Sequence, residues 1–183
     1  MPPEEVLSVL HDLIPAAPNR VLGETVIKRL AQQHLSGTVS INEDGYDLTA
    51  DEPGMNALLI IGEPFWGDYS AHASFTNNDA STVGLIVRYV DDNNYVICGV
   101  SEGAPFLREK INGLSYTRAT SNELVREHEI VADINLSDQK ASCAINGIPV
   151  GVAVQIKQKK GFAGIKAWDK EKAANIIIHD FRV

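Results

Sequence analysis

From Thr38 to the C-terminus, short runs of alternating apolar and polar residues follow one another, separated by turn signals. The breaks are Glu43-Asp44-Gly45, Glu52-Pro53-Gly54, Asn77-Asn78-Asp79, Asp91-Asp92-Asn93-Asn94, Asn112-Gly113 and Asn146-Gly147. Alternation with a period of two puts successive side chains on opposite faces of a strand, so strands at this spacing predict an antiparallel sandwich or barrel. At 183 residues the chain is long enough for one domain and a short extension. The division expected is an N-terminal helical extension over residues 1–37 and one β domain over residues 38–183.

Residues 4–14 carry Val6, Leu7, Leu10, Leu13 and Ile14 at helical spacing behind an acidic first turn, and Pro15 ends the run. A second helical stretch is expected over residues 24–35, where Ile27, Leu30, Ala31 and His34 recur and Gly37 is a natural stop. The Pro-Ala-Ala-Pro run at 15–18 would be a stiff connector. Such a segment either packs on the β domain as a decoration, or serves as a docking helix or the tail of an upstream domain.

Two hairpins give expected faces. Strands 83–90 and 95–101 flank the turn at 91–94. Pairing Val90 with Tyr95 puts Leu85, Val87 and Tyr89 on the core side with Val96, Cys98 and Val100, and Arg88 and Tyr95 on the other. The Asn146-Gly147 turn is the strongest short hairpin signal. It stacks Ala141, Cys143 and Ile145 with Ile148, Val150 and Val152. Both cysteines, Cys98 and Cys143, therefore fall on core faces, where a free Cys acts as a small hydrophobe. A bridge between them stays open, with the free thiols the favoured reading. In 68–76, Tyr69, Ala71, Ala73 and Phe75 alternate with polar residues, as do Ile130, Ala132, Ile134 and Leu136 in 129–136; these are strands with one wet face. The closing run, 175–183, is apolar on both faces at first and reads as more enclosed.

Composition limits function. Sixteen Lys and Arg against 24 Asp and Glu give a net charge of −8, which argues against nucleic acid or anionic lipid as a general partner. No run of about 18 apolar residues is present, so no membrane-spanning helix is expected. The acidic start, Met1-Pro2-Pro3-Glu4-Glu5, is wrong for a secretory signal, which leaves a cytoplasmic protein or a processed or excised domain. The Asn135-Leu136-Ser137 sequon is read as accidental.

Trp66-Gly67-Asp68-Tyr69 opens a strand, and Gly84-Leu85-Ile86-Val87-Arg88-Tyr89 leads to the Asp-Asn-Asn-Tyr turn. A glycine-containing strand (103–113), the Ala-Ile-Asn-Gly hairpin, Gly161-Phe162-Ala163-Gly164-Ile165 and the closing His179-Asp180-Phe181-Arg182-Val183 complete the order. Over residues 38–183 this succession resembles the concanavalin A-like lectin/glucanase jelly roll, especially its laminin-G-like and 3-keto-disaccharide-hydrolase-like branches. The resemblance implies two stacked antiparallel sheets, one curved, with a concave face that often holds carbohydrate, and in many members a structural Ca²⁺ at the edge. The helical extension departs from the family pattern.

Glycosidases of this kind need paired carboxylates, and the Glu-x-Asp-x-x-Glu pattern of laminarinase-type relatives is missing. Glu129 and Asp133 share a face, but a spacing of four separates them by about 13 Å, so they read as a solvated strand face. A non-catalytic carbohydrate-binding or recognition module is therefore the reading taken. Its candidate ligand-binding residues are Arg88, Tyr95, His72, Trp66 and Trp168, flat rings and planar polar groups suited to sugars. Arg88 is the favoured residue, since a charge in an apolar strand needs a partner, either a ligand or an internal carboxylate. Trp66 could equally plug the end of the sandwich. No cofactor is expected. Candidate Ca²⁺ ligands are Asp91, Asp92, Asn93 and Asn94, with Asn42 and Asp44 as another set, although such residues also serve plain turn chemistry. The rivals are a protein-interaction or structural domain, with a homo-oligomer formed through the N-terminal helix, and a sugar-processing hydrolase.

Overall fold

The computed structural model describes residues 35–183. The helices expected over 4–14 and 24–34 lie outside the described residues. Leu35, expected to end the second helix, is instead the first residue of a strand.

The strands come in the order β1 (Leu35–Ser36), β2 (Thr38–Asn42), β3 (Gly45–Thr49), β4 (Asn56–Ile61), β5 (Ser70–Asn77), β6 (Thr82–Asp91), β7 (Asn94–Ser101) and β8 (Ala104–Ile111). Then follow β9 (Leu114–Thr120), β10 (Glu129–Ser137), β11 (Lys140–Ile145), β12 (Ile148–Pro149), β13 (Val154–Gln155), β14 (Phe162–Trp168) and β15 (Asn175–Arg182). They form two sheets: β1-β4-β14-β6-β7-β8-β9, and β12-β11-β10-β5-β15-β3-β2 with β13 paired to β11. Every pairing is antiparallel, and no helix occurs among the described residues. The fold is an all-β sandwich, as the alternating runs predict.

Strand parity decides what fills the space between the sheets. Leu59, Leu85, Val87, Val96, Cys98, Leu107 and Ile165 of the first sheet meet Leu48, Ala73, Phe75, Ile130, Ile134, Cys143 and Ile176 of the second in one continuous core. Each fully buried aliphatic or Phe side chain of this kind contributes roughly 1.5–3 kcal/mol. The inward sets expected for β5 and β10 are those observed. In β15 alternation also holds, but a register shift between Ile178 and Asp180 skips His179 and returns Phe181 to the core.

The Asn146-Gly147 turn forms as expected, with both residues at positive φ (50° and 77°), the conformation of a type I′ hairpin. Its second strand stops after two residues, however. Val150 is buried, whereas Ile148 and Val152 are exposed, so the apolar stack expected on that side is only partly made.

Cys98 and Cys143 are joined by a disulfide that links β7 of one sheet to β11 of the other. Parity correctly placed both in the core, and the free-thiol reading is corrected. The two strands face each other across the layers, a relationship that the separate hairpins do not encode.

Candidate functional site

The expected β6–β7 hairpin is right at its turn and wrong in its body. Asp91 pairs with Asn94, but Val87 pairs with Val96 and Ile86 with Ile97. Arg88, Tyr89 and Val90 thus bulge opposite Tyr95, with Arg88 at φ 48°. The bulge turns Arg88 inward and Tyr89 outward, the reverse of the faces expected for them. Arg88 is 1% exposed. Its Nε donates to Gly67 O (3.1 Å), Nη1 to Gln158 O (2.7 Å) and Nη2 to Asp68 Oδ1 (3.0 Å), and its backbone N–H donates to Tyr69 Oη (3.0 Å). The partner is the internal carboxylate. Arg88 is thereby a clamp at one end of the sandwich and no part of an outer groove.

Trp66 belongs to the same end. It packs against the core, edge-on to Tyr69 with ring centroids 5.7 Å apart, and so plugs the sandwich. Burial pushes the Tyr69 hydroxyl up to about 12.

The outer face of the first sheet carries a second apolar cluster: Leu58, Ile60, Ile86, Tyr95, Ile97 and Phe106, with Tyr89 and Phe162 against it. An apolar outer face is unusual for an antiparallel sheet, whose second side is commonly wet. Across its middle runs the cross-strand row Leu58, Lys166, Gly84, Gly99, Phe106. The paired glycines let β6 and β7 approach closely: a Cβ on Gly84 would stand 2.9 Å from the Cα of Gly99, and one on Gly99 2.8 Å from that of Gly84. The two glycines raise no side chain of their own between Lys166 and Phe106, and Ile97 Cγ1 lies 2.9 Å from where a Gly84 Cβ would stand.

A groove of about 340 Å³ opens on this face, lined by Asn56, Thr82, Trp168 and Lys166 toward one side and Tyr95, Ile97, Phe106, Arg108, Lys110 and Ser115 toward the other. Of the residues expected from sequence, it brings together Tyr95 and Trp168. The Trp168 indole N–H donates to Gly54 O (3.0 Å), which fixes the ring. Lys166 Nζ donates to Tyr95 Oη (3.0 Å) and lies 4.9 Å from the centre of its ring, a cation–π contact. The Arg108 guanidinium covers Phe106 at 3.9 Å. Burial holds the Lys166 ammonium below the ordinary lysine range and pushes the Tyr95 hydroxyl up.

Sequence reasoning missed the other lining residues, Lys166, Arg108, Lys110 and Phe106 among them. The signal was present: in β8, Phe106, Arg108 and Lys110 alternate with Leu107 and Glu109, and in β14, Gly164, Lys166 and Trp168 alternate with Ala163, Ile165 and Ala167.

His72 lies on the other sheet. It lines a depression of about 560 Å³ on that outer face with Asp133, Asn135, Ser142 and Arg182. Its Nδ1 is 2.8 Å from Asp133 Oδ1 and its Nε2 3.6 Å from Asp180 Oδ2. Asp180 is in turn paired with Arg182. The candidate metal turn closes on itself: Asp91 Oδ1 accepts from Asn93 N (2.8 Å) and Asn94 Nδ2 (2.9 Å), and Asn94 Oδ1 accepts from Asn112 N (3.0 Å). Asp92 accepts from the Tyr89 hydroxyl (3.2 Å). Among the described residues no group of three or more His, Cys, Asp or Glu is placed to hold a metal ion.

No family model matches the chain, and no curated protein does. Solved structures do. The chain is similar to the carbohydrate-binding module CBM66 from Bacillus subtilis, with 14% identity, 82% of this chain and 92% of that one covered, and a TM-score of 0.68. A Bacillus subtilis protein of unknown function with a galectin-like fold matches at 12% identity, 90% and 96% coverage and a TM-score of 0.64. The apo Crh5 transglycosylase matches at 12% identity, 80% and 75% coverage and a TM-score of 0.59. At such identities the likeness is one of fold: an all-β sandwich of two antiparallel sheets, consistent with the concanavalin A-like resemblance of the motif order.

Proposed function

We propose that this chain is a non-catalytic carbohydrate-binding module and that its ligand lies in the groove on the outer face of the first sheet. One observation carries the reading. The groove combines an indole, a tyrosine hydroxyl, the Asn56 amide and the Thr82 and Ser115 hydroxyls over an apolar floor, a set that can cover a sugar ring and bond its hydroxyls. No carboxylate lines it, and hydrolysis of a glycosidic bond by the usual route needs two. The similarity to a carbohydrate-binding module and to a galectin-like fold supports the reading, and the transglycosylase shows that the same fold also carries catalysis. A core disulfide suits an oxidising compartment, so the proposed place of action lies outside the reducing cytosol.

A glycan array screened with the wild type and with Trp168→Ala tests this. The expected result is binding of at least one glycan class, weakened in the variant. Binding to no glycan would remove the proposal.

A further inference from the structure

Among the described residues, none of the three cations around the groove makes an ion pair. The ion pairs among the described residues engage Arg88, Arg118, Lys172, Arg182 and His72, and leave out Arg108, Lys110 and Lys166. Lys110 Nζ donates to a backbone carbonyl, that of Asp92, and Lys166 Nζ to a phenol. The Asp92 carboxylate accepts from the Tyr89 hydroxyl and is absent from the groove lining. Such an arrangement is costly. Arg108 and Lys110 stand two residues apart on one strand, about 7 Å along it, where like charges repel. Lys166 is largely buried, and the lost hydration disfavours its charge despite its contact with the Tyr95 ring. In a chain with eight more acids than bases, three bases have been gathered on one face with no ion pair among the described residues, and the acid whose charge reaches Lys166, Asp92, stands beyond ion-pair contact.

We infer that the groove takes an anionic glycan, one whose sugar rings carry carboxylate or sulfate groups, with Arg108, Lys110 and Lys166 meeting the acid groups. This inference rests on the glycan-binding reading and names its ligand class. The guanidinium offers a planar fork for a carboxylate or sulfate, and the two ammonium groups are point charges that either anion satisfies. The glycine pair adds no side chain of its own to the row between Lys166 and Phe106.

Biolayer interferometry with immobilised protein tests it. The probes are polygalacturonate for carboxylate, dextran sulfate and heparin for sulfate, dextran, β-glucan and xylan as neutral chains, and polyglutamate as an acid without sugar. The expected result is saturable binding of a carboxylated or sulfated chain, at least about tenfold tighter than any neutral one. Binding should fade in about 1 M salt, where screening reaches only about 3 Å. Arg108→Gln and Lys166→Gln, checked for an unchanged thermal midpoint, should each weaken binding about tenfold. Lys110→Gln provides a third readout if either fails to fold. Neutral chains bound as tightly, with the variants unaffected, would overturn the anionic class and leave the glycan reading standing. Polyglutamate bound as well as the acidic glycans would overturn it too, because the groove would then read charge without sugar. No binding of any glycan would fell both.

Discussion

Arg88 and Glu109 grip the same residue from its two polar ends. The Gln158 N–H donates to Glu109 Oε1 at 2.7 Å, and the Gln158 carbonyl accepts from Arg88 Nη1 at 2.7 Å. Glu109 is fully buried, and it also accepts from the Lys157 N–H (2.6 Å) and from Arg118 Nε (3.0 Å). The segment after β13 is thus held against the first sheet by two buried charges, each supplied with hydrogen bonds that offset its desolvation. Ile156, within that segment, is delivered to the core.

This clamp is structural, and its removal should cost stability without touching the groove. Glu109→Leu strands two backbone N–H groups and Arg118, so a loss of about 3 kcal/mol or more is expected. Arg88→Met strands two carbonyls and should cost about 2 kcal/mol. Urea midpoints check both. Glycan affinity of folded Arg88→Met should match the wild type; lost affinity at unchanged stability would return Arg88 to the binding site.

The Cys98–Cys143 bridge ties the two sheets across a sequence separation of 45 residues. In the chain-entropy account, closing a loop of this length is worth about 4 kcal/mol. The double variant Cys98→Ala/Cys143→Ala should therefore unfold at markedly lower urea than the wild type, and wild type with a reducing agent should follow it. Coincident curves with and without reductant would show that the bridge does not form.

The glycine pair predicts a steric effect. A Cβ on Gly99 would meet Val83 O at 2.2 Å and Gly84 Cα at 2.8 Å, both backbone atoms that cannot turn aside. Gly99→Ala should destabilise the sandwich by about 1–3 kcal/mol through overpacking, read as a drop in thermal midpoint. An unchanged midpoint would mean that β6 and β7 are further apart than described.

Lys166 gives opposite signs for binding and for stability. Burial lowers its pKa below the ordinary 10.5, so the folded chain sheds this proton at a pH where the unfolded chain still holds it. Over that window the unfolded state binds more protons, and Lys166 makes stability rise with pH. An anionic ligand needs the ammonium, so its affinity should fall over the same window. Lys166→Gln should abolish this part of both trends. Affinity that ignores pH up to the usual lysine range would rule out Lys166 as a ligand contact.

The alternation was legible because each strand states its own faces: Ala73, Phe75, Ile130 and Ile134 went inward as their parity demanded. What resisted reading depends on relations between strands. The bulge at Arg88 is set by the partner Tyr95 and by Gly161, where a Cβ would stand 2.4 Å from Arg88 C, and nothing local to 83–90 announces it. The same holds for the bridge, whose halves lie on different sheets. The groove was half legible. Residue type alone singles out Tyr95 and Trp168, but Lys166, Arg108 and Lys110 join them only once β14, β6, β7 and β8 are laid in order. Residue type also points to His72 and Trp66, but the first lies on the opposite sheet and the second at the sandwich end.

The chain has two tryptophans, Trp66 and Trp168, so Trp66→Phe leaves the groove indole as the sole emitter. Titrating that variant with a glycan it binds, and following tryptophan emission, tests the location of the site directly. The groove account predicts a saturable change in Trp168 emission whose midpoint matches the dissociation constant measured independently. A glycan that binds with the same constant yet leaves Trp168 emission unmoved would place the site elsewhere and contradict the account.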